Sequence, residues 1–187
     1  MRHRTAAPRV RIEPWTAADL ALLRRTNVPE MTEHVGGPET EEQVLARHRR
    51  YLELNGPGRM FRIVLLPEDG PEGDVAGSIG FWERTWQGEK VYETGWGVLP
   101  EFQGRGVAMA AVREVIAAAR AEGRHGSLYA FPSVAHTASN AVCRRAGFGL
   151  VGECQFEYPK GNLMRSNEWR VDLAAASRSS AGLSAGG

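Results

Sequence analysis

The stretch VLPEFQGRGVAMAAVREV, Val98 to Val115, limits what this chain can fold into more than any other part of it. A strand-like apolar run ends at a proline, glycines at 104 and 106 flank an arginine, and a long alanine-rich helix follows. Glycine inside a helix costs about 1 kcal/mol relative to alanine, so a pair of them at a helix boundary means that the bare backbone is wanted there. Spacing excludes two well-known glycine loops. A dinucleotide fingerprint needs a third small residue at GxGxxG spacing, where this chain has Met109, and a phosphate-binding P-loop needs Gly-Lys-Ser/Thr, which is absent. What remains is a run of amide N–H groups at the start of a helix, unobstructed by side chains and backed by the positive end of the helix dipole. Such a cradle suits a pyrophosphate.

The flanking segments alternate in type. RVRIEPW reads as a first strand, and Thr16 with Asp19 forms a capping box that opens a helix through Asn27. The loop VPEMTEHVGGPET follows, and a second helix starts at Glu39 or Thr40 and runs to Leu54 with the basic face RHRRY. MFRIVLL, DVAGSIGFWER and KVYETGWGV read as three antiparallel strands, because their connections are too short for crossovers. After the glycine stretch come a helix to Glu122, a strand SLYAF, a helix ASNAVCRRA ended by Gly147, and strands near FGLVGECQFEY and EWRVDL. The expected fold is α/β, with a mixed central sheet of about six or seven strands flanked by about four helices.

Composition sets the outer limits. A chain of 187 residues can bury roughly two-thirds of its unfolded surface in one core. We expect a single domain over residues 1–173, followed by a disordered tail, 174–187, whose small polar residues cannot offset the entropy of ordering. The 23 basic and 22 acidic residues nearly cancel, so no overall field recruits nucleic acid or an anionic membrane. Cys143 and Cys154 cannot form a zinc site between them and are not a CxxC pair, so no metal is expected. No run reaches the length of a membrane span, and the expected setting is the reducing cytoplasm.

QGRGVA, Gln103 to Ala108, matches the Q/R-x-x-G-x-G/A signature of the GNAT superfamily of acetyl-CoA-dependent N-acetyltransferases, and the chain resembles that family over most of its length. VYETGWGVLPEFQGRGVA looks like the family's fourth strand and pyrophosphate loop, and SNAVCRRAGF looks like the helix and Gly-Phe turn that close its cofactor site. The loop MTEHVGGPETEE, together with Ser139 ahead of the Gly-Phe turn, is similar to the branch that contains ribosomal-protein N-terminal acetyltransferases.

The resemblance implies acetyl-CoA as co-substrate. Amides of Gly104, Arg105, Gly106, Val107 and Ala108 would hold its pyrophosphate beside Gln103, and the strand end at Gly97, Val98 and Leu99 would pair with the pantetheine arm like an added strand. Ser139, Asn140 and Arg144 are the further cofactor candidates, with Asn140 supplying a contact that an asparagine makes where this chain has His136. An acceptor amine with a pKa of about 10 must lose a proton before it can attack a thioester. Glu93, in the apolar setting YETGW, is the candidate base, and Glu83 in FWER is the reserve. Cys143 stands where many members carry a tyrosine that protonates the departing thiolate; it is either a weak proton donor or a packing residue, and direct transfer is expected.

His34, Trp82, Glu83 and Trp96 are expected on the acceptor side, with Trp86, Tyr92 and Tyr158 adding aromatic character and Glu33 bordering the cleft. No excess of acidic residues there argues for a polycationic acceptor. Three readings stay open: transfer to a small-molecule primary amine such as a metabolite or antibiotic, transfer to a peptide or protein N-terminus, and an acyl-CoA-binding regulatory module without turnover. A homodimer is compatible with all three.

Overall fold

Seven strands form in the computed structural model, which describes residues 7–54, 56 and 58–174: β1 Val10–Pro14, β2 Gly58–Leu65, β3 Asp74–Trp86, β4 Glu89–Val98, β5 Ser127–Ala130, β6 Gly149–Glu157 and β7 Leu163–Asp172. They make one sheet in the order β1-β2-β3-β4-β5-β7-β6. Every neighbouring pair is antiparallel except β4 and β5, which run parallel. Five helices accompany them: α1 Leu20–Thr26, α2 Pro29–Thr32, α3 Glu41–Leu52, α4 Val107–Glu122 and α5 Thr137–Ala146. The mixed α/β sheet expected from the sequence is therefore present, with one helix more than the expected four. That extra helix, α2, is a single turn started by a proline, too short to carry a periodic pattern.

Local signals account for most boundaries. Thr16 and Asp19 form their capping box, with the Thr16 amide donating to Asp19 Oδ2 at 2.7 Å, and Thr40 and Gln43 form another at the start of α3. β7 begins earlier than EWRVDL because LMRSN, polar by itself, pairs with β6 through a hairpin register from Glu157↔Leu163 onward. Of the expected tail, only Ala174 lies within the described residues.

The larger core cluster joins α4 to the strands. Val107, Ala111, Val112, Val115, Ile116 and Ala119 make one buried stripe on α4, as their helical spacing requires, and meet Ile63, Ile79, Phe81 and Tyr92 from the sheet. Each fully buried valine of that stripe contributes about 1.5–3 kcal/mol relative to exposure. A second cluster places Leu22 and Leu23 of α1 and Val44 of α3 against Trp15, Met60 and Leu99. The larger cluster holds β4 through Tyr92 and Val98, and the second holds Leu99 just past its end.

Candidate active site

β4 and β5 pair at only two positions, Tyr92↔Leu128 and Glu93↔Tyr129. Beyond Glu93 the strands part. A cavity of about 250 Å³ opens in this region, bordered by Thr94, Gly95, Trp96 and Gly97 of β4, by Ala130 at the end of β5 and by Phe131, Pro132 and Ser133 after it. The strand edge that β4 turns toward β5 carries no ladder partner beyond Glu93, so backbone groups there are open to an extended ligand.

The glycine stretch lies just past the end of β4. Gly104 and Gly106 take φ of +71° and +79°, the left-handed region that side chains resist. A methyl group on Gly104 would meet nothing within 4 Å, and one on Gly106 would meet Pro8 Cδ at 3.3 Å. Gly106 caps α4 without any side chain closing the helix end, so the first amides of this 16-residue helix are left open. Arg105 is exposed with its guanidinium 5.8 Å from the Phe102 ring centroid, while Val107 is buried and Ala108 half-buried at the first turn. These features fit a pyrophosphate.

Three of the expected cofactor residues make their hydrogen bonds within the protein. Leu99 has no free backbone group, since its amide donates to Ala76 O at 2.8 Å, its carbonyl accepts from Phe102, and its side chain sits in the second core cluster. Gln103 turns back to the strand: Nε2 donates to Val98 O at 2.9 Å, which ties the loop to the end of β4. Asn140 is saturated, its Nδ2 donating to the carbonyls of Ser133 and His136 and its Oδ1 accepting from Asn167 Nδ2 and Trp169 Nε1, all within 2.8–2.9 Å. It holds the β5–α5 loop to β7 and has nothing left for a ligand. Arg144 is exposed, 5.8 Å from the Trp169 ring centroid.

Glu93 lines the cavity and is 8% exposed. Its Oε2 accepts from Arg84 Nη1 at 2.8 Å, and that guanidinium lies 4.3 Å from the Phe156 ring centroid and within 6 Å of those of Phe131 and Trp86. Burial raises the Glu93 pKa and outweighs the lowering by Arg84, so the net displacement is upward from the usual carboxylate range. Its neighbour in the register is Trp82, also on the cavity wall. Glu83, one residue on, points elsewhere, as alternation along β3 demands, and pairs with Lys90 at 2.6 Å and His125 at 3.0 Å. It does not line the cavity, which removes it as the reserve base and as an acceptor residue.

His34, Trp96 and Tyr158 do line the cavity, whereas Tyr92 is fully buried and Trp86 donates its indole N–H to Glu168. His34 stacks on His136 with ring centroids 4.3 Å apart, linking the turn after α2 to the β5–α5 loop. Ser139 Oγ lies 3.1 Å from His136 Nε2. Cys143 is absent from the cavity wall and fully buried in the larger core cluster, and desolvation pushes its thiol up to about 12. No thiolate forms there at neutral pH, and of its two expected roles the geometry favours packing.

Sequence reading missed several wall residues, among them Arg47, Tyr51, Phe131, Phe156 and Met164. The signal for the first two was present: counting in threes and fours from the buried Val44 puts Arg47, His48 and Tyr51 on the inward stripe of α3, but the run RHRRY reads as a solvated basic face when only composition is weighed. Among the described residues no group of three or more His, Cys, Asp or Glu is placed to hold a metal, and no helix is long and apolar enough to cross a membrane.

A family model described as the acetyltransferase (GNAT) domain matches residues 9–149. Among solved structures, a GNAT-family acetyltransferase from Bacillus anthracis superposes with a TM-score of 0.71 at 21% identity, covering 89% of this chain and 96% of its own. A Salmonella typhimurium acetyltransferase that modifies the N-terminal serine of a ribosomal protein gives 0.69 at 18% identity, with 90% and 96% covered. A Vibrio cholerae spermidine N-acetyltransferase in complex with CoA and spermine gives 0.70 at 12% identity, with 88% and 95% covered. At these identities the likeness is one of fold. No curated protein matches the chain by sequence.

Proposed function

This chain belongs to the GNAT acetyltransferase family, and from that membership we propose that it transfers acetyl from acetyl-CoA directly to the primary amine of a small molecule. One observation carries the reading: a buried carboxylate, Glu93, stands at the point where β4 and β5 part, on the cavity wall and on the same strand that leads into the bare start of α4. Cofactor, base and acceptor space thus meet along a single strand.

The residues divide the work as follows. Amides from Gly104 to Ala108 hold the pyrophosphate, and the free edge at Gly97 and Val98 aligns the pantetheine amides. When bound, acetyl-CoA supplies a thioester carbonyl as electrophile. Glu93 takes a proton from the acceptor ammonium, and its raised pKa brings it closer to neutral pH, where a general base is most effective. Before that transfer Arg84 shares the charge of the carboxylate and fixes it in place. Cys143, buried and with its thiol at about 12, takes no acetyl group.

Cavity size favours a small acceptor. A volume of about 250 Å³ is at or below the usual range for pockets that enclose a drug-sized ligand. The His34–His136 stack also bridges two loops beside the cavity, which leaves less room for a polypeptide N-terminus. The test is release of CoA thiol from acetyl-CoA with a panel of primary amines and N-terminal peptides. Turnover with small amines is the expected result. Turnover confined to peptides would replace the acceptor, and a melting-temperature rise with acetyl-CoA but no thiol release from any acceptor would leave only a binding module.

A further inference from the structure

The cavity that holds Glu93 has one guanidinium on its wall. Arg47 reaches it from α3, with Tyr51 four residues along the same helix and Tyr158 from the end of β6. Arg47 carries five N–H donors in a rigid fork, with Glu39 and Tyr51 as its protein neighbours. Its Nη2 lies 2.5 Å from Glu39 Oε2, yet that oxygen has no aligned hydrogen bond, and Arg47 Nε is buried without any partner. Buried donors left unpaired are costly and rare, and each calls for a reason. The Glu39 backbone is held from the other side, its amide donating to Asn27 Oδ1 at 2.7 Å and its carbonyl accepting from Asn27 Nδ2 at 2.8 Å. Burial disfavours the Arg47 charge, but Tyr51, Glu39 and Tyr158 more than offset this, and the group stays a cation.

A cavity wall that carries one carboxylate and one guanidinium among aromatic, thioether, hydroxyl and imidazole side chains suits a molecule with both charges. We propose that the acceptor is an amino acid, an amine that also bears a carboxylate, and that Arg47 with the phenols of Tyr51 and Tyr158 holds that carboxylate while Glu93 meets the amine. Planar bidentate pairing of guanidinium with carboxylate is among the strongest polar contacts available, and Arg47 is the guanidinium that this cavity wall offers. The same cation disfavours a polyamine, which would bring a second positive charge toward it. This inference rests on the transferase reading given above and adds to it the acceptor's second functional group.

The test compares matched pairs: glycine, β-alanine, 4-aminobutanoate, 6-aminohexanoate and phenylalanine, each against the amide of its own carboxyl group. For at least one pair, kcat/KM should favour the carboxylate by about tenfold or more, carried mainly by KM, because a site built to bond a polar group discriminates strongly against its absence. Arg47→Gln should cut that preference at least about fivefold, and Arg47→Lys should keep part of it, since charge survives while the fork is lost. A wild-type preference below about tenfold for every pair overturns the proposal, as does a folded Arg47→Gln protein that keeps more than a fifth of it. Should no amine release thiol, the transferase reading fails separately, and the subsite is then judged by melting temperature: the N-acetylated amino acids must stabilise the wild type more than their amides do, and equal shifts overturn it.

Discussion

Glu93 concentrates the chemistry in a single side chain, and its environment sets the direction of every pH effect. Because burial lifts its pKa above 4.5, turnover should rise as pH climbs through that raised value, and Glu93→Gln should remove this acidic limb. The same substitution should lower kcat by about 10²-fold or more while leaving acetyl-CoA affinity nearly unchanged, as measured by steady-state kinetics and titration. Stability follows the opposite course. A carboxylate harder to ionise folded than unfolded contributes stability that is present below the unfolded pKa and lost as pH rises through the folded one, so the denaturation midpoint of wild type should decline across that window relative to Glu93→Gln. Cys143 gives the contrasting case. Cys143→Ala should retain at least about a tenth of wild-type turnover, since it removes a core atom and no proton that water cannot supply. An acetyl group found on Cys143 by mass spectrometry, and discharged by added amine, would overturn direct transfer.

At the scale of the element, α4 joins two demands in one helix. Its buried stripe needs apolar residues at helical spacing, and its first turn needs bare backbone. Gly106→Val meets neither a left-handed φ nor the space beside Pro8, so it should cost about 1–3 kcal/mol in stability and abolish most of the melting-temperature rise given by acetyl-CoA. A folded variant with an unchanged rise would remove the cradle assignment. Both demands of α4 were legible in the sequence, because periodicity and glycine placement are local. What was not legible lay in how elements face each other: alternation along β3 put Glu83 and Trp82 on opposite sides, but only the assembled sheet shows which side holds the cavity. Arg47 was hidden for the same reason, since a basic helix run is judged by what packs against it.

For the whole molecule, Asn140 knits the β5–β7–β6 half of the sheet together, joining α5 and the loop after β5 to β7. Asn140→Ala would leave the Trp169 indole N–H and the Asn167 amide without partners, while the Ser133 and His136 carbonyls keep their backbone donors, and chemical denaturation should show a loss of more than about 2 kcal/mol. Sequence reading placed that asparagine next to the cofactor by resemblance and could not see its partners, which lie on β7 and in the loop after β5. Only two residue pairs join β4 to β5, against the ten that join β3 to β4. The slit that admits a ligand is therefore also a fracture line across the sheet. Deuterium should enter those amides of residues 94–98 that face β5 well before those of β3, and acetyl-CoA, by acting as the missing rung between the two halves, should slow that entry and mend the sheet from within.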